Sequence, residues 1–487
     1  MRILFVTTEI RPYSKVGKLA EYSHHLPREL KAKGNDISII TPYYRTLLAE
    51  REDIKPINDE WIDIWLGSER YGIRYLKAES EDTSVPVIFV ECEPMFGRDG
   101  IYENPADGKI FADNHKRFMV LQNAALEYVA RGHFSCDLIH LNDHATALLP
   151  AWLKTRYADN EALKGVKTLL TIHDVKYQGS CSLDYLAECG IDVNMFSEAC
   201  KNDEGFNCLR GGIALADRVN AVSPTYAKET LLSDEYGAGL TACLQARGED
   251  YFGILNGVDY TYWNSKKDEH IPSHFGLSSS GDKLGNKMEL LANHGLDHSN
   301  AEKTPLIGIV CELTEAKGMQ LVAQAIDKML PWDIRMIIAG SGDPRYHRMF
   351  EQTQMRYPNK LGLNLTPSIK LVHQMMAGCD FLLVPSRIEP CGEHQFYSMR
   401  YGSIPIARAT GGLADSIEDY IPESKKGWGF LFDRYDAESL LKTVWRAISL
   451  YKSKSNFQSV QKRAMRLDFS WTTCAGKYTE VYKDMVG

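Results

Sequence analysis

The chain has no excess of positive charge: 56 Lys and Arg stand against 64 Asp and Glu in 487 residues, a net charge of -8. A protein that grips a nucleic-acid backbone needs a basic surface to displace counterions. Nucleic acid is therefore not an expected partner, and any phosphate site must be local. Long apolar runs are missing as well. None approaches the roughly 20 residues that cross a bilayer, and after Arg2 only Ile3, Leu4, Phe5 and Val6 are apolar before Thr7, Thr8 and Glu9. That is too short for the core of a secretory signal, so no membrane contact is expected. The eleven cysteines are an odd number, scattered, without one Cys-x-x-Cys pair, which argues against a disulfide framework or zinc knuckle and for a reducing cytoplasm. Cys181, Cys189, Cys200 and Cys208 crowd one segment, but at spacings that match no common metal motif.

What is present is an ordinary globular composition, 44% hydrophobic and 25% charged, long enough for two large or three smaller domains. Arg2–Thr7 reads as a buried strand. A loop with Pro12 and Gly17 follows, then an amphipathic helix Leu19–Lys33 in which Pro27 should introduce a kink, then Gly34 and a second strand, Asp36–Pro42. This is one βαβ unit. The same grammar returns in Leu306–Cys311, Lys317–Leu330 and Arg335–Ala339. Two separate starts of a doubly wound parallel sheet predict an α/β fold of two Rossmann-like domains facing across a cleft. Asp268–Ser299, polar around Ser278–Gly281, reads as a surface connector.

In open α/β sheets ligands sit beyond the carboxyl ends of the strands, so the residues just after each strand are the ones to inspect. Ala409–Leu413, with Gly411 and Gly412 before a helix over Ala414–Asp419, could let backbone amides face a phosphate, or could serve packing alone. Pro385–Gly392 places Glu389 between a strand end and a Gly-bearing turn, where a carboxylate can accept from sugar hydroxyls or simply be solvated. His140 and His144 stand at i and i+4 around Asp143. That spacing converges two imidazoles on a metal only in a helix, and Asp137–Leu141 reads as a strand, so no metal is expected. His173 ends another strand, as a cleft-facing ring or a satisfied loop histidine.

With these residues in view the chain resembles the bacterial glycogen and plant starch synthases, family 5 glycosyltransferases of the GT-B fold. The segments that carry the resemblance are Val384–Ser416, Asn220–Glu229, Gly253–Asp259, Gly100–Tyr102, Asp113–Asn114 with Arg117–Phe118, and Asp468–Trp471. The resemblance implies a retaining glucosyltransferase that moves glucose from a nucleotide sugar, most often ADP-glucose, to an α-1,4-glucan acceptor, without cofactor or metal. It implies domains of about residues 1–255 on the acceptor side and 256–465 on the donor side, with 466–487 returning to the first. By motif, Lys15, Gly17 and Lys317 would meet phosphate beside the amides of Thr410, Gly411, Gly412 and Leu413, with Lys18, which departs from the motif, a further candidate in the same loop. Glu389, in the run with Cys391 and Gly392, would hold donor glucose. His173 would lie near the sugar, with Asp143 and Tyr102 toward the acceptor.

The departures from the family pattern fall in the same loops. Lys18 replaces a second glycine, Glu312 an arginine, Glu393 a leucine, Asn142 a histidine, His144 a tryptophan and Asp174 an asparagine. Acidic groups near a pyrophosphate are repulsive, so the alternative reading is a catalytically weak paralogue that binds glucan or nucleotide sugar as a regulatory or scaffolding protein.

Overall fold

Arg2–Val6 is the axis of the first sheet in the computed structural model, which describes all residues except 79–84, 197–200 and 203–204. It pairs in parallel with Asp36–Pro42 on one side and Leu138–Asn142 on the other. From Leu138–Asn142 the sheet continues in parallel through Lys167–Ile172, Arg218–Ala221 and Tyr251–Gly253. On the opposite side Val87–Glu91 is parallel, and Glu69–Ala78, Ile54–Pro56 and Ile62–Leu66 add an antiparallel margin. The central strands are buried on both faces and mostly apolar, and the buried His140, Asn142, Thr168 and Thr171 among them are hydrogen-bonded. Of the four clustered cysteines, Cys200 lies outside the described residues. Cys181 and Cys208 are buried with sulfurs 4.0 Å apart.

The helix Leu19–Ala32 runs through Pro27, which is buried on its inner face. Beside it lies the C-terminal helix Trp471–Val486, whose Trp471, Tyr478 and Tyr482 belong to the same core. Polar groups join them inside that core. Tyr22 Oη donates to Tyr478 Oη at 2.8 Å, and the His140 ring lies 2.5 Å from Tyr482 Oη and 2.7 Å from Thr171 Oγ1. Each pairing removes the desolvation cost of a buried polar atom.

The second unit is a six-stranded parallel sheet in the order Leu361–Asn364, Arg335–Ala339, Leu306–Val310, Phe381–Val384, Ile404–Arg408, Phe430–Phe432. Numbered along the chain this is 3-2-1-4-5-6, the doubly wound order whose strand direction of travel reverses between the first and fourth strands. The helices Met319–Met329 and Ala437–Tyr451 cover it with apolar faces.

By compactness the chain divides into Met1–Val222 with Ala227–Asn256 and Trp471–Gly487, and Ser223–Tyr226 with Gly257–Ser470. Ser223–Tyr226 join the second unit through Thr225, whose amide and hydroxyl meet the Asp415 carboxylate at 2.9 and 2.6 Å. Residues up to Ser470 remain there too, through the bridge from Val258 to Ser470. The reading of Asp268–Ser299 as a surface connector is corrected. It contains the helix Lys283–Asn293, which buries Lys283, Asn286, Lys287, Leu290 and Leu291. Lys283 Nζ caps the helix Ile369–Gly378 by donating to the carbonyls of Met376 and Ala377 at 3.0 and 2.6 Å. Lys287 Nζ pairs with Asp380 at 2.6 Å.

Candidate active site

In the second unit the residues expected to act lie where the strand order reverses. Lys317 comes from the loop after Leu306–Val310 and Glu389 from the loop after Phe381–Val384. Lys317 Nζ reaches Glu389 Oε2 at 2.7 Å, and Ser386 Oγ donates to the same oxygen at 2.9 Å. Glu389 is only 5% exposed. Its carboxylate is thus held by a cation and a hydroxyl at the rim of the topological crevice, the place where such sheets take ligands.

Glycines allow the loops to close on one another. Gly318 has φ +79°, and a Cβ there would stand 2.0 Å from the Pro385 carbonyl oxygen. Gly411 has φ +45° with 1.9 Å to the Glu389 carbonyl, and Gly412 has 1.9 Å to that of Cys391. Three loops therefore lie backbone to backbone, which side chains would prevent. The Arg387 amide donates to the Ala316 carbonyl at 2.9 Å, binding the first loop to the second. Arg408 donates to the Arg387 carbonyl, binding the second to the third.

One expectation is corrected here. The amides of Gly412 and Leu413 are engaged inside the chain, with the Glu389 carbonyl at 3.1 Å and the Thr410 carbonyl at 3.1 Å. The glycine pair acts by close approach, and Lys317 brings an ammonium to this loop set. Gly392 takes φ +73° and turns the chain into the helix His394–Arg400; Cys391 is buried beneath it. Glu393 accepts from Tyr397 Oη at 3.1 Å, and Glu312 is exposed.

In the first unit the loops after Arg2–Val6 and Leu138–Asn142 flank the corresponding reversal. Lys15, Gly17 and Lys18 are exposed. Their loop is shaped by Glu9, a residue the sequence reading passed over. Glu9 Oε2 accepts from the amides of Val16 and Gly17 at 2.6 and 2.7 Å, and Glu9 Oε1 accepts from Tyr102 Oη at 2.8 Å. The signal available in sequence was a carboxylate at a strand end followed by a Gly-bearing loop. Lys15 Nζ pairs with Glu21 at 2.5 Å. Burial pushes the Glu21 carboxyl up, but His25, Lys15 and Arg11 outweigh it and hold the group well below the usual carboxylate range.

Tyr102 is positioned from behind by the motif residues Asn114 and Arg117. Asn114 Nδ2 donates to the Tyr102 carbonyl at 2.8 Å, and the fully buried Arg117 donates to the carbonyls of Ile101 and Met95, each at 2.7 Å. Burial, with Glu9 alongside, raises the Tyr102 phenol far above its ordinary value.

Asp143 and His173 come together. The His173 amide donates to Asp143 Oδ1 at 2.7 Å, and the His173 ring stands edge-on to Tyr22 with Nε2 3.2 Å from Asn142 Oδ1. Burial pushes the His173 ring down to about 3, so it is neutral at physiological pH. Burial also pushes the Asp143 carboxyl up to about 8, with Asp174 and Glu9 adding to it against the opposing His173 amide. Asp143 holds φ +54°, which short polar residues tolerate best. His140 turns into the core on Thr171 and Tyr482, as a strand residue should, and His144 sits edge-on to Phe118.

Residues 2–246 match the starch synthase catalytic domain and residues 296–463 the glycosyl transferases group 1. The chain is 36% identical to a glycogen synthase of Fervidobacterium nodosum over 99% of its own length and 98% of the relative's. It is 35% identical to that of Kosmotoga olearia over 100% and 98%. Among solved structures it is similar to the catalytic domain of starch synthase IV from Arabidopsis thaliana bound to ADP and acarbose, with TM-score 0.86 and 30% identity over 99% of both chains. Sucrose-phosphate synthase from Thermosynechococcus elongatus, at 18% identity and TM-score 0.58 over 99% and 98% of the two chains, shares the fold. Identity above 30% along the whole length makes the chain a member of the glycogen and starch synthase family of GT-B glycosyltransferases.

Proposed function

We propose that the chain transfers glucose from ADP-glucose to the non-reducing end of an α-1,4-glucan with retention of configuration. The observation that carries this reading is the pairing of Lys317 with buried Glu389 where the strand order of the second unit reverses. A cation for phosphate and a carboxylate for sugar hydroxyls stand within one hydrogen bond of each other. The Arabidopsis relative bound to ADP and acarbose supports a nucleoside diphosphate and an oligosaccharide as the ligand classes.

In the reaction the bond from glucose C1 to the diphosphate oxygen breaks and a bond from C1 to the acceptor oxygen forms, while the acceptor's proton passes to the departing diphosphate. Charge grows on the leaving group, so an ammonium already in place stabilises the transition state more than the ground state. In this reading Lys317 supplies that ammonium in the second unit. Glu389 accepts from a donor glucose hydroxyl, while the turn at Cys391 and Gly392 and the close approach of Thr410, Gly411, Gly412 and Leu413 hold its backbone in place. Neutral His173 offers a ring nitrogen to the sugar without adding positive charge. Asp143, whose carboxyl burial pushes up, and Tyr102 address the acceptor, and Gly17 and Lys18 shape the first phosphate loop.

The non-catalytic alternative finds no support among the relatives, which are synthases by name. We place the reaction in the cytoplasm, a reading supported by ten described cysteines that are all unbridged. Among the described residues no helix is long and apolar enough to cross a membrane. The test is to incubate the protein with glycogen and ADP-, UDP- or GDP-glucose and to follow nucleotide release and α-amylase sensitivity of the added glucose. ADP-glucose should serve best, and release with none of the three would refute the assignment.

A further inference from the structure

In the first unit the strands Leu138–Asn142 and Lys167–Ile172 run side by side, with Asn142 in register with Thr171, two residues before His173. The main chain at Asn142 is clamped by one hydroxyl: Thr146 Oγ1 accepts from the Asn142 amide at 2.6 Å and donates to its carbonyl at 2.9 Å. Asn142 is fully buried, so its side-chain amide must find its partners inside the fold. It stands where the family pattern has a histidine, and the proposed reaction leaves it without a task.

Those partners fix which way the amide faces. Asn142 Nδ2 donates to the Val6 carbonyl at 3.0 Å. A carbonyl only accepts, so the amide cannot turn over without setting two oxygens against each other. Its Oδ1 is thereby left facing His173 Nε2 at 3.2 Å. A hydrogen bond across that gap needs the ring proton on Nε2. The other tautomer would set two lone pairs against each other and forfeit the bond. Burial holds the ring down to about 3, so at neutral pH only one of its nitrogens carries a proton. Tyr22, 1% exposed, keeps the ring in plane from the side, edge-on with centroids 4.5 Å apart and planes at 82°. A half-turn of the imidazole would put a carbon in front of Oδ1.

We infer that Asn142 is a positioning residue for the transfer reaction: it fixes His173 as the Nε2–H tautomer and so keeps Nδ1 as the ring's acceptor for a hydroxyl of the donor sugar. The inference rests on His173 addressing the sugar in that reaction. The order of bonds runs from a main-chain carbonyl of the central strand, through the amide, to the imidazole, so the sheet itself decides where the ring proton sits. A hydroxyl that must donate to Nδ1 is held in one rotamer, which orients the glucose for transfer.

The test is 15N NMR of the full chain labelled at its histidines, in which each neutral ring reports which nitrogen carries the proton; His173→Ala identifies the signal. The parent should show His173 protonated at Nε2. Asn142→Ala should spread the proton over both nitrogens and lower kcat about fivefold at saturating donor, the worth of one neutral hydrogen bond, with ADP affinity within about twofold of the parent. On a His173→Ala background the same substitution should cost no further turnover, because it acts through the ring. Asn142→Asp keeps an oxygen toward Nε2 and should keep the tautomer, which decides the matter if Asn142→Ala fails to fold. Tyr482→Phe, which loosens the core away from His173, should lower the thermal midpoint and leave tautomer and kcat as in the parent. A parent ring protonated at Nδ1, an Asn142→Ala ring still protonated only at Nε2, an Asn142→Asp ring that is not, losses that add in the double variant, or a tautomer lost equally in Tyr482→Phe would each overturn the inference. If the parent transfers glucose and one of these is found, the inference fails alone. If the parent releases no nucleotide, the transfer reading fails, and the spectra by themselves decide whether Asn142 fixes the ring.

Discussion

Replacing Glu389 with glutamine keeps the side chain's volume and removes its charge, which isolates what the carboxylate does. Glu389 is 5% exposed, and one of its oxygens takes both Lys317 Nζ at 2.7 Å and Ser386 Oγ at 2.9 Å. A hydrogen bond to a charged group contributes about 1.5–3 kcal/mol. If the donor glucose hydroxyl relies on that acceptor in the transition state, kcat should fall by about 10- to 150-fold under saturating donor. Stability should change much less. The Lys317 side chain is 28% exposed, so its ammonium can turn to water. The loss is then nearer about 1 kcal/mol than the roughly 3–5 kcal/mol of breaking a fully buried pair. ADP affinity should hold or tighten, because Lys317 no longer has a carboxylate competing with phosphate. The assay is nucleotide release from ADP-glucose with glycogen, alongside calorimetric ADP binding and a urea midpoint. A kcat within twofold of the parent would remove Glu389 from the sugar site. ADP affinity that falls in step with kcat would instead make it an organiser of the phosphate site.

Gly412→Ala should destabilise the protein by about 1–3 kcal/mol through overpacking and cut transfer sharply, since its Cβ would stand 1.9 Å from the Cys391 carbonyl; a parental urea midpoint would contradict the close approach. Tyr482→Phe should cost roughly 1–3 kcal/mol by stripping buried His140 of a partner at 2.5 Å, seen as a lower thermal midpoint. Burial pushes Lys283 down to about 7 from 10.5. The unfolded chain therefore binds a proton that the folded chain lacks between those values, and this group's contribution to stability rises as pH climbs from 7 toward 10.5. Lys283→Met should flatten that rise by up to a few kcal/mol, measured by urea unfolding at pH 7 and 9.5; parallel pH profiles would refute it. Asp143→Asn should preserve the fold while Asp143→Ala is less stable by about 1 kcal/mol, because φ +54° suits Asn far better than Ala.

Hydrophobic patterning made several central strands legible, among them Arg2–Val6, Asp36–Pro42, Leu306–Val310 and Arg335–Ala339. A strand buried on both faces tends to be apolar throughout, as Leu306–Val310 and Phe381–Val384 are, and a tight turn that follows favours glycine or a short polar residue. Both signals are local, so Glu389, Gly411 and Gly412 stood out from the residues around them, whereas Lys317 was named only through the family resemblance. What only the tertiary structure decided was partnership across long sequence separations. Lys283 and Lys287 lie in the stretch that read as a surface connector, and their partners are the carbonyls of Met376 and Ala377 and the carboxylate of Asp380. The amides of Gly412 and Leu413 looked available for phosphate until the Glu389 and Thr410 carbonyls came to lie against them. Glu9 gained its place only when the loop through Val16 and Gly17 folded back over it. Hydrophobic patterning and turn chemistry act over a few residues and leave a periodic trace in the sequence, whereas a buried charge or an orphan amide is satisfied by whatever the fold brings within hydrogen-bond distance.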